Sequence, residues 1–435
     1  MKYLVEEGEF EGHPIDRIFT TDVMEFNLFI IQNIELAKES DEAMTFVVGT
    51  GGSTSGDPII HDDIVYFGCC DKNFYAITTE GKEVWKFAAK SNTLSPTIKD
   101  GIVYFGSFDH NMYAVDAKTG EFKWSFPAGD KIASQPVIHK GKVYFTCKDE
   151  NLYAISTEGD FLWKYYLGAP AGAEPTLYKD VLYFGTHGNR FYAIDTDGNL
   201  KWYFTAKGVT TEGIIHDDII YFTSLDHHIY CLDLDGNLIW KYQAKEKLFR
   251  KPAIYDNILY AGGYEGNLYA VDTKGNLIWT FQTEGPIFTI ACPDENYIFF
   301  GSSDSNVYCL DRKTGKEIWK YASGGPVVYD IIREGDKLYY GGWDCKFYCI
   351  TTKGEFVWSF PTSLSYIAPV DISSKTEKRK TLNVTWDDIS GADDGPLKYK
   401  KTQGMDTIEF GGYGNFASGY VLHSDYSSSK RKYSK

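Results

Sequence analysis

Between about residues 57 and 360, apolar runs of four to six residues alternate with short turns rich in Gly, Asp, Asn and Lys. One stretch shows the plan: SPTI (95–98), KDG, IVYFGS (102–107), FDHN, MYAVDA (112–117), KTG and EFKWSF (121–126). β-branched and aromatic residues fill the runs, and turn-forming residues separate them. This predicts four short antiparallel strands joined as a meander. No helical apolar period interrupts the pattern.

The unit recurs. Tryptophans stand at Trp85, Trp124, Trp163, Trp202, Trp240, Trp279, Trp319 and Trp358, separated by 39, 39, 39, 38, 39, 40 and 39 residues. Each follows a glycine by four residues (Gly81, Gly120, Gly159, Gly198, Gly236, Gly275, Gly315, Gly354), and a tyrosine precedes each glycine by six or seven. A unit this short cannot bury its own apolar faces, so neighbouring copies must stack. Eight four-stranded units predict an all-β fold, a single eight-bladed β-propeller of four-stranded antiparallel blades with short N- and C-terminal extensions. A ring also hides the end edges that an open array would expose.

The glycine before each Trp closes a tight hairpin, where a residue tolerant of positive φ is required. Asp116, Asp195, Asp233, Asp272 and Asp311 are placed to bond these turns from their side chains. Their DxDG stretches are similar to calcium loops, but further oxygen ligands and a closing bidentate acid are missing, so they read as turns. The boundaries follow: an acidic extension over 1–43, the propeller over 44–372, and a C-terminal extension over 373–435 whose basic Ser/Lys/Tyr-rich end, SSSKRKYSK, has the composition of a disordered tail. The closing strand is left open between an inner strand at 58–60, a ninth similar segment at 368–372, and residues 44–48 near the same seam.

Ala114, Asp116, Thr119, Gly120 and Trp124 match the A-x-D-x-x-T-G-x-x-x-W tryptophan-docking pattern, and its Ala/Cys, Gly and Trp positions recur in every copy. On these residues the chain resembles the pyrroloquinoline-quinone (PQQ)-type, quinoprotein-like propeller repeat family over about residues 57–360. In repeat plan it is similar to that family's non-enzymatic outer-membrane assembly lipoprotein; the family also includes quinoprotein dehydrogenases. The resemblance implies that each Trp stacks between neighbouring blades. The Trp ladder is therefore expected to be structural rather than a sugar-binding platform, each buried indole contributing roughly 4–6 kcal/mol before entropy.

Charge and cysteines narrow the function. A net charge of −16 argues against a general nucleic-acid binder. MKYLVEEGEFEG lacks a secretory apolar core, and the apolar stretch 26–36 is broken by Asn27, Gln32, Asn33 and Glu35, so neither a leader nor a membrane span is expected. Cys231, Cys309 and Cys349 fill a slot held elsewhere by Ala76, Ala114, Ala154, Ala193 and Ala270; Cys69 and Cys147 fill another small-residue slot. The expectation is reduced thiols and a cytoplasmic monomer.

In propeller topology the turns between second and third strands share a face with the connections between blades, and this face is the expected binding surface. One turn position varies (Cys70, Phe108, Lys148, His187, Leu225, Tyr264, Ser303, Trp343), while an acid nearly fills the next, from Asp71 to Asp344. A feature repeated around the ring reports folding, so the acids are expected to fix their turns. Phe108, His110, His187, His227, Tyr264 and Trp343, with His228, are the candidate partner-binding residues, exposed aromatics being economical contact anchors.

At the channel mouth Asp57, Ser95, Gln135, Glu174, Glu212, Arg250 and Lys251 read as solvated charges in a water-filled funnel rather than a ligand or metal site. Adjacent Cys69 and Cys70 echo the adjacent-cysteine disulfide of quinoprotein alcohol dehydrogenases, but Cys69 sits in an ordinary small-residue slot. The long insertions that enclose a quinone are also missing. No G-x-S-x-G, H-E-x-x-H or phosphate-loop motif is present. The expected function is a non-catalytic scaffold for a protein or peptide, without cofactor; the alternative is a PQQ- and calcium-dependent oxidoreductase acting on an alcohol or aldose at the channel mouth.

Overall fold

The computed structural model describes residues 53–362 and, beyond them, four two-residue strands: Leu4–Val5, Ile18–Phe19, Thr45–Phe46 and Val370–Asp371. The remaining parts of the terminal extensions, including the basic tail, lie outside the described residues. The chain forms eight four-stranded antiparallel sheets, each from consecutive strands: blades 1 to 8 span 59–88, 93–127, 137–166, 176–205, 210–243, 253–282, 292–322 and 332–361. Among the described residues no helix is long and apolar enough to cross a membrane.

Strand position explains the burial pattern. The second strand of blade 2, Ile102–Ser107, is buried from Val103 onward, and its third strand, Asn111–Asp116, is buried over four central residues. Both faces of these inner strands meet neighbouring blades. The outer strand Phe122–Pro127 instead alternates exposed and half-buried positions, because it has only one covered side. Aromatic pairs knit successive blades: Phe74 stacks on Phe105 at 4.2 Å between centroids, and Phe191 on Phe222 at 4.2 Å.

The tryptophan ladder bridges blades in two ways. Within its own blade, Trp124 lies opposite Ala114, and Trp240 opposite Cys231, so the small-residue slot makes room for the indole. Across the gap, the ring covers the turn glycine of the next blade. A Cβ added at any of these eight glycines would lie 2.6–3.1 Å from the preceding Trp ring. The indole N–H then donates to a backbone carbonyl of that same turn: Trp85 to Ala117 at 3.0 Å, Trp124 to Thr157 at 2.8 Å, Trp319 to Thr352 at 3.1 Å. Trp163 departs from this: its indole N–H has no partner among the described residues, and the equivalent Thr196 carbonyl accepts from Lys142 Nζ at 3.2 Å as well as from Tyr144 Oη at 3.1 Å.

The same contact closes the ring. Trp358 of blade 8 covers Gly81 and donates to the Thr79 carbonyl of blade 1 at 3.1 Å. Phe67 stacks on Phe347 at 4.4 Å in the core these two blades share. Blade 1 supplies its own inner strand, Ile59–His61. The two segments left open by the sequence pair with each other instead, Thr45–Phe46 against Val370–Asp371, in a separate two-stranded sheet.

Cys231, Cys309 and Cys349 are 1%, 1% and 0% exposed, and burial pushes their thiols up to about 12, 12 and 11. They are packing residues in the alanine slot. No disulfide forms among the described residues.

Two alanine substitutions separate backbone cost from ring contact. Gly101 (φ 75°) has nothing within 4 Å of where an added methyl would stand, whereas at Gly120 (φ 70°) that methyl would lie 2.7 Å from the Trp85 ring. Gly101→Ala should cost about 1 kcal/mol and Gly120→Ala roughly 2–4 kcal/mol in urea unfolding. Equal losses would mean that the Trp85 ring does not rest on that turn.

Candidate functional site

The variable turns are anchored before they are varied. In all eight blades the backbone N–H of the variable residue donates to a carbonyl of the connection that enters the blade: Cys70 to Ser53, Phe108 to Asn92, Lys148 to Lys131, His187 to Pro170, Leu225 to Val209, Tyr264 to Lys247, Ser303 to Pro286 and Trp343 to Pro326, over 2.8–3.1 Å. Because the main chain makes this bond, it requires no particular side chain at the variable position. The turns and connections therefore form one face around the channel mouth.

The repeated acid does more than fix its own turn. Asp109 accepts from the Asn111 backbone N–H at 3.1 Å, from Tyr113 Oη at 2.8 Å and from the Lys90 backbone N–H of the entering connection at 2.9 Å. Asp149 and Asp304 make the same three kinds of contact, and Asp226 accepts likewise from Tyr230 Oη and the Lys207 backbone N–H. Blade 6 corrects the expectation for its turn acid: Glu265 stands at that position, but Glu246 makes the contacts. There the buried Glu246 of the connection reaches Asn267 Nδ2 at 2.7 Å, Tyr269 Oη at 3.2 Å and the Glu265 backbone N–H.

Around this face the candidate residues fall into unlike sectors rather than one cluster. Tyr264 packs edge-on to Phe249 (5.8 Å) and Phe288 (5.2 Å), and half-buried Trp343 lies two blades further on. On the opposite arc, Lys148 Nζ lies 3.2 Å from His187 Nε2. His110, near Asp130 at 3.7 Å, and His227 hold left-handed backbone (φ 73° and 71°) at the end of their turns. His228 hydrogen-bonds the Asp226 carbonyl through Nδ1 at 2.8 Å. Phe108 corrects the expectation of an exposed anchor: it is 6% exposed, with Lys131 Nζ 5.3 Å from its ring centre, because its ring turns into the channel wall.

The mouth itself is a second correction. Its charges are cross-paired rather than solvated. On the connections entering the blades, Arg250 before blade 6 reaches Asp57 before blade 1 at 2.7 Å and Asp330 before blade 8 at 3.4 Å, while Lys251 reaches Glu174 before blade 4 at 2.8 Å. Asp57 Oδ1 also accepts from the Asp330 backbone N–H at 3.0 Å, and Asp330 Oδ1 from that of Ile290 at 2.6 Å. Asp330 was missed from sequence because DII (330–332) replaces the x-Pro pattern that marks most inner strands. Chain separation hid the partnership with Arg250; only the ring brings these residues together.

Burial pushes the Asp330 carboxyl up, and neighbouring Asp57 adds to this, to about 7. Burial is the largest influence on Asp57 and opposes its charge, but Arg250, the Asp330 backbone N–H and Lys251 together hold Asp57 below its usual range. Burial disfavours the Lys251 ammonium too, yet Glu174 and Glu212 leave its pKa raised.

The cavity among Asp57, Ser95, Gln135, Glu174, Glu212 and Arg250 measures about 40 Å³, room for about three water molecules. That space does not fit a three-ring quinone, and the acids beside it are already engaged with Arg250 and Lys251. No group of three or more His, Cys, Asp or Glu side chains suited to a metal ion occurs among the described residues. Cys69 is fully buried, with its thiol donating to the Ser53 carbonyl at 3.3 Å and its pKa pushed well up by burial.

The raised Asp330 carboxyl sets a sign for pH. Its folded state holds a proton that the unfolded chain has released above about pH 4, so this group's contribution to stability falls as pH rises from about 4 through about 7. Asp330→Asn should flatten that part of the stability-against-pH curve in urea unfolding. An unchanged slope would mean that Asp330 does not hold that proton.

A family model described as outer membrane protein assembly factor BamB matches residues 37–235, 205–292 and 285–380. Among solved structures, the chain is similar to the computationally designed Ika8 protein at 15% identity, covering 70% of this chain and 97% of that one, with a TM-score of 0.63. It is also similar to BamB from Moraxella catarrhalis (17%, 66% and 94%, 0.60) and to Sqt1 from Saccharomyces cerevisiae (11%, 68% and 95%, 0.60). At these identities the likeness shows the fold. No curated protein matches the sequence significantly. The three matched segments together run from residue 37 to residue 380, and the chain belongs to the PQQ-type propeller family whose model is described as outer membrane protein assembly factor BamB.

Proposed function

We propose that the protein is a non-catalytic scaffold that engages a protein or peptide through the variable face, acting in the cytoplasm and without a cofactor. The observation that carries this reading is the division of labour in the turns. A backbone bond holds each turn and, in every blade but blade 4, a carboxylate adds to it, while the variable residue differs from blade to blade. Family membership supports the same reading, since the model's description names an assembly factor. The alternative of quinone-dependent alcohol or aldose oxidation has less support, because the mouth offers about 40 Å³ and its charges are cross-paired. Buried, undisulfided cysteines are the support for a reducing compartment.

Half-buried aromatics at a rim are suited to be contact anchors, because truncating one typically costs about 2 kcal/mol or more of binding. Native complexes captured on wild-type protein should therefore lose a partner, on the order of tenfold or more in affinity, when Tyr264→Ala and Trp343→Ala are combined. The melting temperature of the double variant serves as the folding control. A partner set unchanged in a folded double variant would count against this face, and alcohol-dependent dye reduction with added PQQ and calcium would overturn the non-catalytic reading.

A further inference from the structure

The variable turns leave one apolar arc on the face. Tyr264 and Phe288 are half-buried and meet edge-on at 5.2 Å, with buried Phe249 behind them at 5.8 and 5.0 Å. Trp343, also half-buried, stands two blades on. Between them the variable residue of blade 7 is only Ser303, its backbone N–H on the Pro286 carbonyl at 2.9 Å, and the connections beside it carry Gly285, Gly324 and Gly325. A low, apolar strip therefore runs from Tyr264 to Trp343, with exposed Glu265 and Glu284 at its border.

The chain leaves the ring at this same face. After the outer strand of blade 8, the Thr362 backbone N–H donates to the Cys345 carbonyl at 3.0 Å, two residues past Trp343. Where the chain enters blade 1, Ser53 Oγ donates to the Trp343 carbonyl at 3.2 Å. Residues 373–435 follow, and they hold eleven Lys and Arg against eight Asp and Glu. In a chain of net charge −16, all of the negative excess thus lies before them.

One stretch of these 63 residues differs from its flanks. Within TQGMDTIEFGGYGNFASGYVLHS (402–424) only Asp406 and Glu409 are acidic and no Lys or Arg occurs, while Ile408, Phe410, Tyr413, Phe416 and Tyr420 recur every two to four residues. Basic runs lie on both sides, KYKK (398–401) and KRKYSK (430–435).

We infer that residues 402–424 dock on the strip between Tyr264 and Trp343 and cover it against other partners. The aromatic side chains meet the arc, and the basic flanks meet the acidic ring. Reach and charge together select the chain's own segment as the occupant. As a coil, the 37 residues from 372 to 408 span roughly 30–36 Å, against about 20 Å for two inter-blade spacings of about 10 Å each. Tethering supplies an effective concentration on the order of millimolar, so a contact too weak to hold a separate molecule is populated here. The docking stands on these observations alone; its effect on a partner rests on the scaffold reading.

The test uses the full chain. A photo-reactive phenylalanine analogue in place of Tyr264 should capture a peptide from within 402–424, and in a mixture of isotope-labelled and unlabelled protein the captured peptide should carry the label of its own ring. Amides of residues 408–422 should exchange at least about tenfold more slowly than those of 427–435. That protection should be lost in Tyr264→Ala/Trp343→Ala and equally in Phe410→Ser/Phe416→Ser, which alters no residue of the ring. A native partner captured through Tyr264 and Trp343 should bind Phe410→Ser/Phe416→Ser about tenfold more tightly, as expected when the strip is open about one-tenth of the time in the wild type. Cross-links to other segments or between copies, exchange over 408–422 as fast as over 427–435, or an unchanged partner affinity overturn the inference. If the segment is captured and protected but no partner depends on Tyr264 and Trp343, the scaffold reading falls and the docking stands.

Discussion

The structure depends on one contact made between blades: an indole laid over the turn glycine of the next blade, with its N–H on that turn's carbonyl. The contact needs three residues from two repeats, a small residue under the ring in its own blade and a glycine and a carbonyl across the gap. It combines apolar burial with the satisfaction of a buried donor, so neither part can be removed cheaply. Where the chain begins and ends, the same contact joins Trp358 to Gly81 and Thr79, and blade 8 is held to blade 1 as any blade is held to its successor.

With the ring held from within, the variable face has a different set of constraints. Main-chain bonds tie each turn to the connection entering its blade, and an acid with its tyrosine closes the arrangement except in blade 4, where Tyr192 donates to the Leu167 carbonyl. Blade 6 shows that the constraint is on the carboxylate's place rather than its position in sequence, since Glu246 supplies it from the connection. The variable side chains can then differ without loss of the fold. That freedom produces an aromatic arc around Tyr264 and a basic arc around Lys148 on one rigid support.

Repetition made the fold legible. The Trp spacing, the glycine four residues earlier and the four apolar runs per unit were enough for blade number, strand number and the packing role of Cys231, Cys309 and Cys349. Closure was not legible, because residues 44–48 and 368–372 carry strand-like patterns but pair with each other. The site was legible only by address. Sequence pointed to the face where the turns and connections meet, yet it placed Phe108 on the surface and left the mouth charges in solvent, since burial at a ring's centre depends on side chains reaching across it. Arg250 meets Asp57 over 193 residues of chain, and no local pattern announces that pairing. Asp330 lacked the proline that marks most of its counterparts, and Glu246 lay outside the turn position where the acids of other blades stand.

The central claim is that the indole contact closing the ring is equivalent to those inside the array, and equilibrium unfolding of two single variants tests it most directly. Trp202 donates to the Leu234 carbonyl at 2.8 Å inside the array, and Trp358 to the Thr79 carbonyl at 3.1 Å across the chain ends. Trp202→Leu and Trp358→Leu should each lose roughly 3 kcal/mol, equal within about 1 kcal/mol, in one cooperative urea transition. A full loss at Trp202 with almost none at Trp358 would mean that the ends are not locked together, and would contradict the account.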